Sequence, residues 1–245
     1  MDALIQLSHR LGAPALRMAI LAEGNASARL ADTFFVKASG STLETLGERD
    51  VVECRFDGLL ALIDREVVSD AQAHEALMAS RIDPEAKKPS VEALFHAWLL
   101  SLPDVAYVAH THATAVTGIL CSPRARAFAE RRLFPDEVVC CDVASVFVPY
   151  TDPGTSLARA IRQQTLAFMR EVGRVPRVIL LENHGIITLG RSVDATLGAM
   201  LMAEKAANVW AAATALGGPV FMTPEQVARI ATRPDEAHRR RVLEM

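Results

Sequence analysis

The sequence predicts an α/β domain, a mainly antiparallel sheet covered on both faces by helices. Two observations carry that prediction. Strand-like pairs joined by tight turns alternate with helical stretches along the chain. No glycine-rich G-x-G-x-x-G turn follows a strand, so a dinucleotide-binding parallel fold has little support. The chain has 245 residues, 51% of them hydrophobic, enough for one large core. Residues 1–245 are therefore expected to form a single domain.

Taken in order, residues 2–22 are rich in Leu, Ala and Ile at helical spacing, and Gly12 and Pro14 divide them into two helices. Strands follow at Ser27–Leu30 and Thr33–Lys37, with a turn at Ala31-Asp32. Val51–Phe56 and Leu59–Ile63 flank Asp57-Gly58, a strong hairpin signal. Residues 70–81 read as a helix. Pro89 stands where a first-turn proline belongs, and Ser90–Leu102 continues as an amphipathic helix. Val105–His110 is a short apolar strand running into His112. Residues 113–132 are helical with a break at Ser122-Pro123. Val138–Cys141 and Val146–Val148 are strand-like, and Thr155–Val172 is a helix. Arg177–Leu181 and Ile186–Leu189 are strands on either side of His184-Gly185. Residues 193–216 make the longest helix, ended by Gly217-Gly218. The tail is a short helix and then a basic stretch, Arg239-Arg240-Arg241.

Charged residues make up 22% of the chain and the net charge is −3, which argues against a nucleic-acid or polyanion binder. Mean hydropathy is +0.19, high for a soluble protein. No apolar run reaches the roughly 18 residues of a membrane span, because charged residues or His, Thr, Asn, Gly and Pro interrupt each one. The excess apolarity therefore reads as a well-filled core plus buried subunit surface. Cys54, Cys121, Cys140 and Cys141 form no C-x-x-C pair, and the N-terminus shows no export signal. Buried, reduced thiols and a cytoplasmic location are the expectation.

The sharpest local feature is AHTH, residues 109–112. On an extended backbone His110 and His112 project to the same side and suit a tetrahedral metal. Two histidines capping carbonyls at a strand end fit the same pattern. His184, in LLENHG, is a third histidine at a strand end, beside a glycine that allows a sharp turn. Three neutral imidazoles and an open fourth position compose a catalytic rather than a structural zinc site.

KPSVEALFH, residues 88–96, adds Ser90 and Glu92 at a helix start that favours anions. Glu92 also reads simply as a partner of the helix dipole. Glu92 and His96 share a helical face, but Phe95 and Trp98 beside His96 suggest that it packs. GNAS, residues 24–27, and KASG, residues 37–40, supply two polar turns able to present N–H groups to an anion.

In order, GNAS, KASG, PSVE, HTH and NHG resemble the class II aldolase and adducin family over residues 5 to 225, and VPYTDPGT at 148–155 adds to the match. The resemblance implies a three-layer αβα sandwich around a mainly antiparallel sheet, and a homotetramer with active sites at subunit interfaces. It implies that His110, His112 and His184 bind the metal, expected to be Zn2+, with Mn2+, Co2+ or Fe2+ suited to the same ligands. Glu92 matches the acid/base carboxylate. Asn25, Ser39, Gly40 and Ser90 match positions that hold the substrate phosphate in sugar-phosphate members.

The implied activity is cleavage of a ketose 1-phosphate to dihydroxyacetone phosphate and an aldehyde through a metal-stabilised enediolate. Epimerase-like members carry Asp at the position of Glu92, so Glu favours a lyase. Ala22 and Val91 stand where fuculose-type members offer hydroxyls to phosphate, and Lys37 and Lys88 are the cations able to compensate. That departure keeps a metal-dependent decarboxylase in view. The tail also lacks the tyrosine of fuculose-type members; Tyr107 and Tyr150 are the only tyrosines. A non-catalytic, adducin-like scaffold is disfavoured because all three histidines and Glu92 are present.

Overall fold

The strands are β1 (Asn25–Arg29), β2 (Thr33–Lys37), β3 (Val51–Arg55), β4 (Tyr107–Thr111), β5 (Val146–Val148), β6 (Val178–Leu181) and β7 (Gly185–Gly190). A computed structural model describes residues 1–236, and these strands are counted among them. They join one sheet in the order β3-β2-β1-β4-β7-β6-β5. Every pairing is antiparallel except β5 with β6.

The helices are α1 (Asp2–Leu11), α2 (Asp57–Asp64), α3 (Asp70–Ser80), α4 (Ala93–Leu100) and α5 (Thr114–Leu120). They continue with α6 (Ala125–Glu130), α7 (Pro135–Cys141), α8 (Thr155–Val172), α9 (Val193–Ala215) and α10 (Pro224–Thr232). Side chains alternate across the sheet, so each strand feeds two cores. Ala26, Ala109, Leu180 and Ile186 pack with apolar residues of α1, α5, α7 and α9. Val36, Val108, Ile179 and Ile187 pack with those of α2, α3, α4 and α8. The result is the expected three-layer α/β/α sandwich around a mainly antiparallel sheet.

Several local expectations are corrected. Residues 59–63, read as the second strand of a hairpin, lie in α2, where Leu59, Leu62 and Ile63 bury one helical face. Residues 138–141, read as strand-like, lie in α7. Pro135 opens that helix, and Asp136 and Glu137 occupy its first turn, where the dipole favours them. A second helix through residue 22 is replaced by a 3-10 turn at Pro14–Leu16. The amphipathic helix from Pro89 starts later, at Ala93, and is buried along all of Ala93–Leu100 because it lies against both the sheet and α8. The thiols are free, but only Cys54, Cys140 and Cys141 are buried; Cys121 is exposed. No helix among the described residues is long and apolar enough to cross a membrane. The basic stretch 239–241 lies outside the described residues.

Candidate metal centre

The sheet register brings the three histidines together. Within the ladder, His110 of β4 is paired with Asn25 of β1 on one side and Ile187 of β7 on the other. His112 follows two residues on and returns to the same side, as strand alternation requires. His184 sits in the turn between β6 and β7, which is closed by the His184 N–H donating to the Leu181 carbonyl at 3.1 Å. A Cβ on the next residue, Gly185, would stand 2.4 Å from the Thr111 carbonyl oxygen and 2.9 Å from the His112 ring. Only glycine allows the turn to approach β4 this closely, and so lets His184 reach the pair.

The three ring centroids lie 4.9 to 5.0 Å apart, and one nitrogen of each ring falls within 4.8 Å of the others. His110 Nε2 and His112 Nε2 are 3.2 Å apart. Tetrahedral zinc with Zn–N bonds of about 2.0–2.1 Å separates two ligands by about 3.3–3.4 Å, so this spacing fits. His110 Nδ1 donates to the Ile186 carbonyl at 3.0 Å, which leaves the Nε2 lone pair facing the cluster. Burial pushes His110 down to about 3, with repulsion from His112 adding to it. Burial likewise takes His184 to about 4, with His110 contributing and Glu92 opposing. Neutral imidazoles are the form a metal requires. The donor set therefore fits a divalent cation.

Glu92 stands at the N-cap position of α4 without a side-chain capping bond, and its carboxylate turns to the cluster instead. Oε2 is 3.6 Å from His110 Nε2 and Oε1 is 3.5 Å from His184 Nε2. The Asn25 amide donates to Glu92 Oε2 at 2.5 Å and to Ser90 Oγ at 3.3 Å. Its carbonyl end is bonded by His96 Nε2, and His96 Nδ1 meets Ser27 Oγ at 2.6 Å. His96 thus does more than pack. It is fully buried and hydrogen-bonded at both ring nitrogens.

Ser39, Gly40, Ser90 and Asn25 line a cavity of about 200 Å³ with Glu92, His112 and His184; Ala22 and Val91 are also in its wall. An isolated β-bridge between Ala38 and Pro89 stitches the KASG turn to the segment before α4. The Ser39 N–H donates to the Lys88 carbonyl at 2.8 Å, and the Ser90 N–H to the Lys37 carbonyl at 3.2 Å. Gly40 takes a φ of +81° with open space where a Cβ would stand. The Lys37 ammonium is spent on backbone, donating to the Ser41 carbonyl at 2.6 Å and to Ala22 and Ala38 at 3.4 Å. Burial lowers its pKa, with Glu92 and Asp50 opposing. Lys88 is exposed and outside the cavity wall.

Glu23, which no motif in the sequence marks, places Oε1 3.6 Å from His112 Nδ1 while Oε2 accepts the Ile20 N–H at 3.0 Å. The link from Ser27 through His96 to Asn25 is likewise absent from the sequence expectations. A signal for that link existed: Asn25 and Ser27 share a strand face, and Glu92 and His96 a helix face. Tyr150 stays outside, exposed, its hydroxyl donating to Asp152 at 3.0 Å.

The family model of the class II aldolase and adducin N-terminal domain matches residues 2–211. YuxG, an uncharacterized oxidoreductase of Bacillus subtilis (strain 168), is 28% identical over 165 residues, 66% of this chain and 21% of that protein. The chain thus spans about a fifth of the length of the curated relative it matches. A solved N-terminal class II aldolase domain of a conserved protein from Thermoplasma acidophilum is 25% identical with a TM-score of 0.66, covering 86% of this chain and 92% of that one. An L-fuculose 1-phosphate aldolase structure has a TM-score of 0.70 at 19% identity, covering 94% of this chain and 93% of that one. At that identity the likeness is one of fold.

Proposed function

The chain belongs to the class II aldolase and adducin family, and from that premise we propose that it is a metal-dependent carbon–carbon lyase of the aldol type. Its substrate in this reading is a ketose 1-phosphate, cleaved to dihydroxyacetone phosphate and an aldehyde. The observation that carries the proposal is the Glu92 carboxylate, 3.5–3.6 Å from the Nε2 atoms of two histidines in a three-imidazole cluster. A divalent ion held by His110, His112 and His184, for which zinc is our choice, supplies Lewis acidity that lowers the cost of negative charge on the substrate oxygens.

The chain's own groups do the rest. Glu92 moves a proton to or from the reacting carbon, with Oε2 steadied by Asn25 and Oε1 on the side of His184. The hydroxyls of Ser39 and Ser90 and the turn at Gly40 form the polar end that receives the anionic group, with Asn25 beside it. Exposed Leu21 and Val91 beside the cavity support a neighbouring subunit there, as in a homotetramer.

A second reading, a decarboxylase on the same residues, is favoured by one observation. Lys37 is engaged with three carbonyls, and Ala22 and Val91 bring no hydroxyl to the wall, so the anion end suits a non-phosphorylated acid. Zinc-loaded protein assayed for aldehyde release from ketose 1-phosphates and for carbon dioxide release from hydroxy acids separates the two. Aldehyde release that stops on chelation, and falls by roughly 10²–10⁴ in Glu92→Gln with metal retained, is the expected result. Carbon dioxide without sugar-phosphate cleavage sinks the aldolase reading, and a monomer in light scattering of the same preparation removes the tetramer.

A further inference from the structure

We propose that His96 is a positioning residue that locks the Asn25 amide in one orientation and thereby aims the Glu92 carboxylate at the histidine cluster. The inference rests on the reading of Glu92 as the acid/base group.

Asn25 Nδ2 faces Glu92 Oε2 and Ser90 Oγ, so Asn25 Oδ1 is the atom turned to His96. A carbonyl oxygen only accepts, so His96 Nε2 carries the proton and donates. Nδ1 of the same neutral ring is then an acceptor, and Ser27 Oγ must donate to it. Every proton between Ser27 and Glu92 is thereby assigned: Ser27 to His96, His96 to Asn25, Asn25 to Glu92. The direction has a consequence for the carboxylate. If the amide turned over, Asn25 Oδ1 would face Glu92 Oε2 at a hydrogen-bond separation, oxygen against oxygen with no proton between them. The turned amide would also require His96 to carry its proton on Nδ1 and Ser27 Oγ to change from donor to acceptor, so Ser27, His96 and Glu92 together hold the one direction.

The local structure makes this arrangement rigid. Asn25 and Ser27 lie two apart on β1, on one face of the sheet. Glu92 and His96 lie four apart on one face at the start of α4. His96 is wholly buried, with its ring stacked on Phe95 at a centroid distance of 4.7 Å. With side chains on both elements fixed at two levels, Asn25 has little freedom except the amide turn that His96 opposes.

Two variants of the zinc-loaded full chain test this. His96→Leu removes both hydrogen bonds, while His96→Gln keeps an N–H for Asn25. The first readout needs no activity: a crystal structure of each. The proposal expects His96→Leu to free the Asn25 amide and swing the Glu92 carboxylate by about 1 Å or more, a displacement of the size that disables catalytic groups. His96→Gln should keep both in place. The second readout is kinetic. His96→Leu should lower kcat about 10- to 100-fold, with KM and zinc affinity nearly unchanged, and His96→Gln should recover most of it.

An Asn25–Glu92 hydrogen bond intact in the His96→Leu structure overturns the proposal. So does equal impairment of the two variants, or a loss of zinc affinity that parallels the loss of kcat. Should His96→Leu fail to fold, His96→Met, which likewise removes both hydrogen bonds, takes its place against His96→Gln, with the same outcomes. If the wild-type chain cleaves nothing, the lyase reading falls and the crystallographic comparison alone decides the role of His96.

Discussion

Two cavities lie at opposite ends of β4 and differ in what their charged groups have left to do. The larger, about 590 Å³, opens beside Val105, Gly190 and the segment from Gly173 to Arg177. Its charges are matched internally. Arg174 forks onto the Asp142 carboxylate, Arg177 donates to the Val139 carbonyl at 2.6 Å, and Arg191 lies 3.9 Å from Asp104. The smaller, about 200 Å³, is lined by Glu92, His112 and His184, with His110 buried behind them. There the imidazole nitrogens face one another and a carboxylate, an arrangement that a cation satisfies and a neutral protein group does not. Chemistry here follows ligand chemistry rather than volume.

The comparison breaks most readily at the small end. His184→Ala should weaken zinc binding by more than the roughly 100-fold that loss of an outer hydrogen-bond partner costs. It should also erase any zinc-dependent rise in melting temperature; chelator competition and thermal melts with and without zinc check both. Zinc affinity near wild type would remove His184 from the ligand set.

At the large end, Arg174→Ala should leave zinc affinity alone and cost about 1–3 kcal/mol of stability, by stripping a buried carboxylate of its partner. Burial alone would raise the Asp142 pKa, yet the hydrogen bonds and charge of Arg174 hold it below the usual carboxylate value. A depressed pKa contributes stability that is present above the unfolded value, about 4, and lost as pH falls through the folded one. The gap in melting temperature between wild type and Arg174→Ala should therefore narrow as pH falls from about 6 to about 3. A gap that stays constant would mean that the guanidinium acts through packing.

The smallest effect belongs to Asp50, which braces the turn after Gly40. Hydrogen bonds from Lys87, then Ser41 and the Gly47 amide, hold its carboxyl at about 2. Solvent screens this group, so Asp50→Asn should cost no more than about 1 kcal/mol at neutral pH. Urea melts should show the loss above about pH 4 and its disappearance toward about pH 2. A larger loss, or one independent of pH, would show that the Ser41–Asp50 contact matters for shape rather than charge.

The parts of the fold that were legible in the sequence have length or punctuation. Thr155–Val172 and 193–216 are long periodic stretches with clear ends, and both appear as helices within a residue of expectation. Short apolar runs are where pattern fails. Val138–Cys141 reads as strand by composition, and only Pro135 with two acids before it marks a helix. Leu59–Ile63 is likewise too short to show its period, and Asp57-Gly58 opens a helix as readily as a hairpin. The clustering of the three histidines was less legible, since it depends on a ladder pairing β4 with β7 across some seventy residues of chain. The role of His96 was hidden for another reason. Its neighbours on the helix are apolar, while its partners Asn25 and Ser27 come from a strand far away in sequence.

That ladder gives the histidine cluster a use as a reporter of assembly. Shifting β4 by one residue would exchange the faces of alternate side chains, sending His110 toward α9 and putting Ala109 or Thr111 in its place. A mispaired molecule can still hide its apolar residues, but it cannot gather three imidazoles. The chelator-resistant metal content of a preparation therefore works as a checksum, counting the molecules whose strands are in register. If only those molecules bind the proposed ion, metal at about 100 times its Kd should draw the population toward correct pairing by about 2.7 kcal/mol.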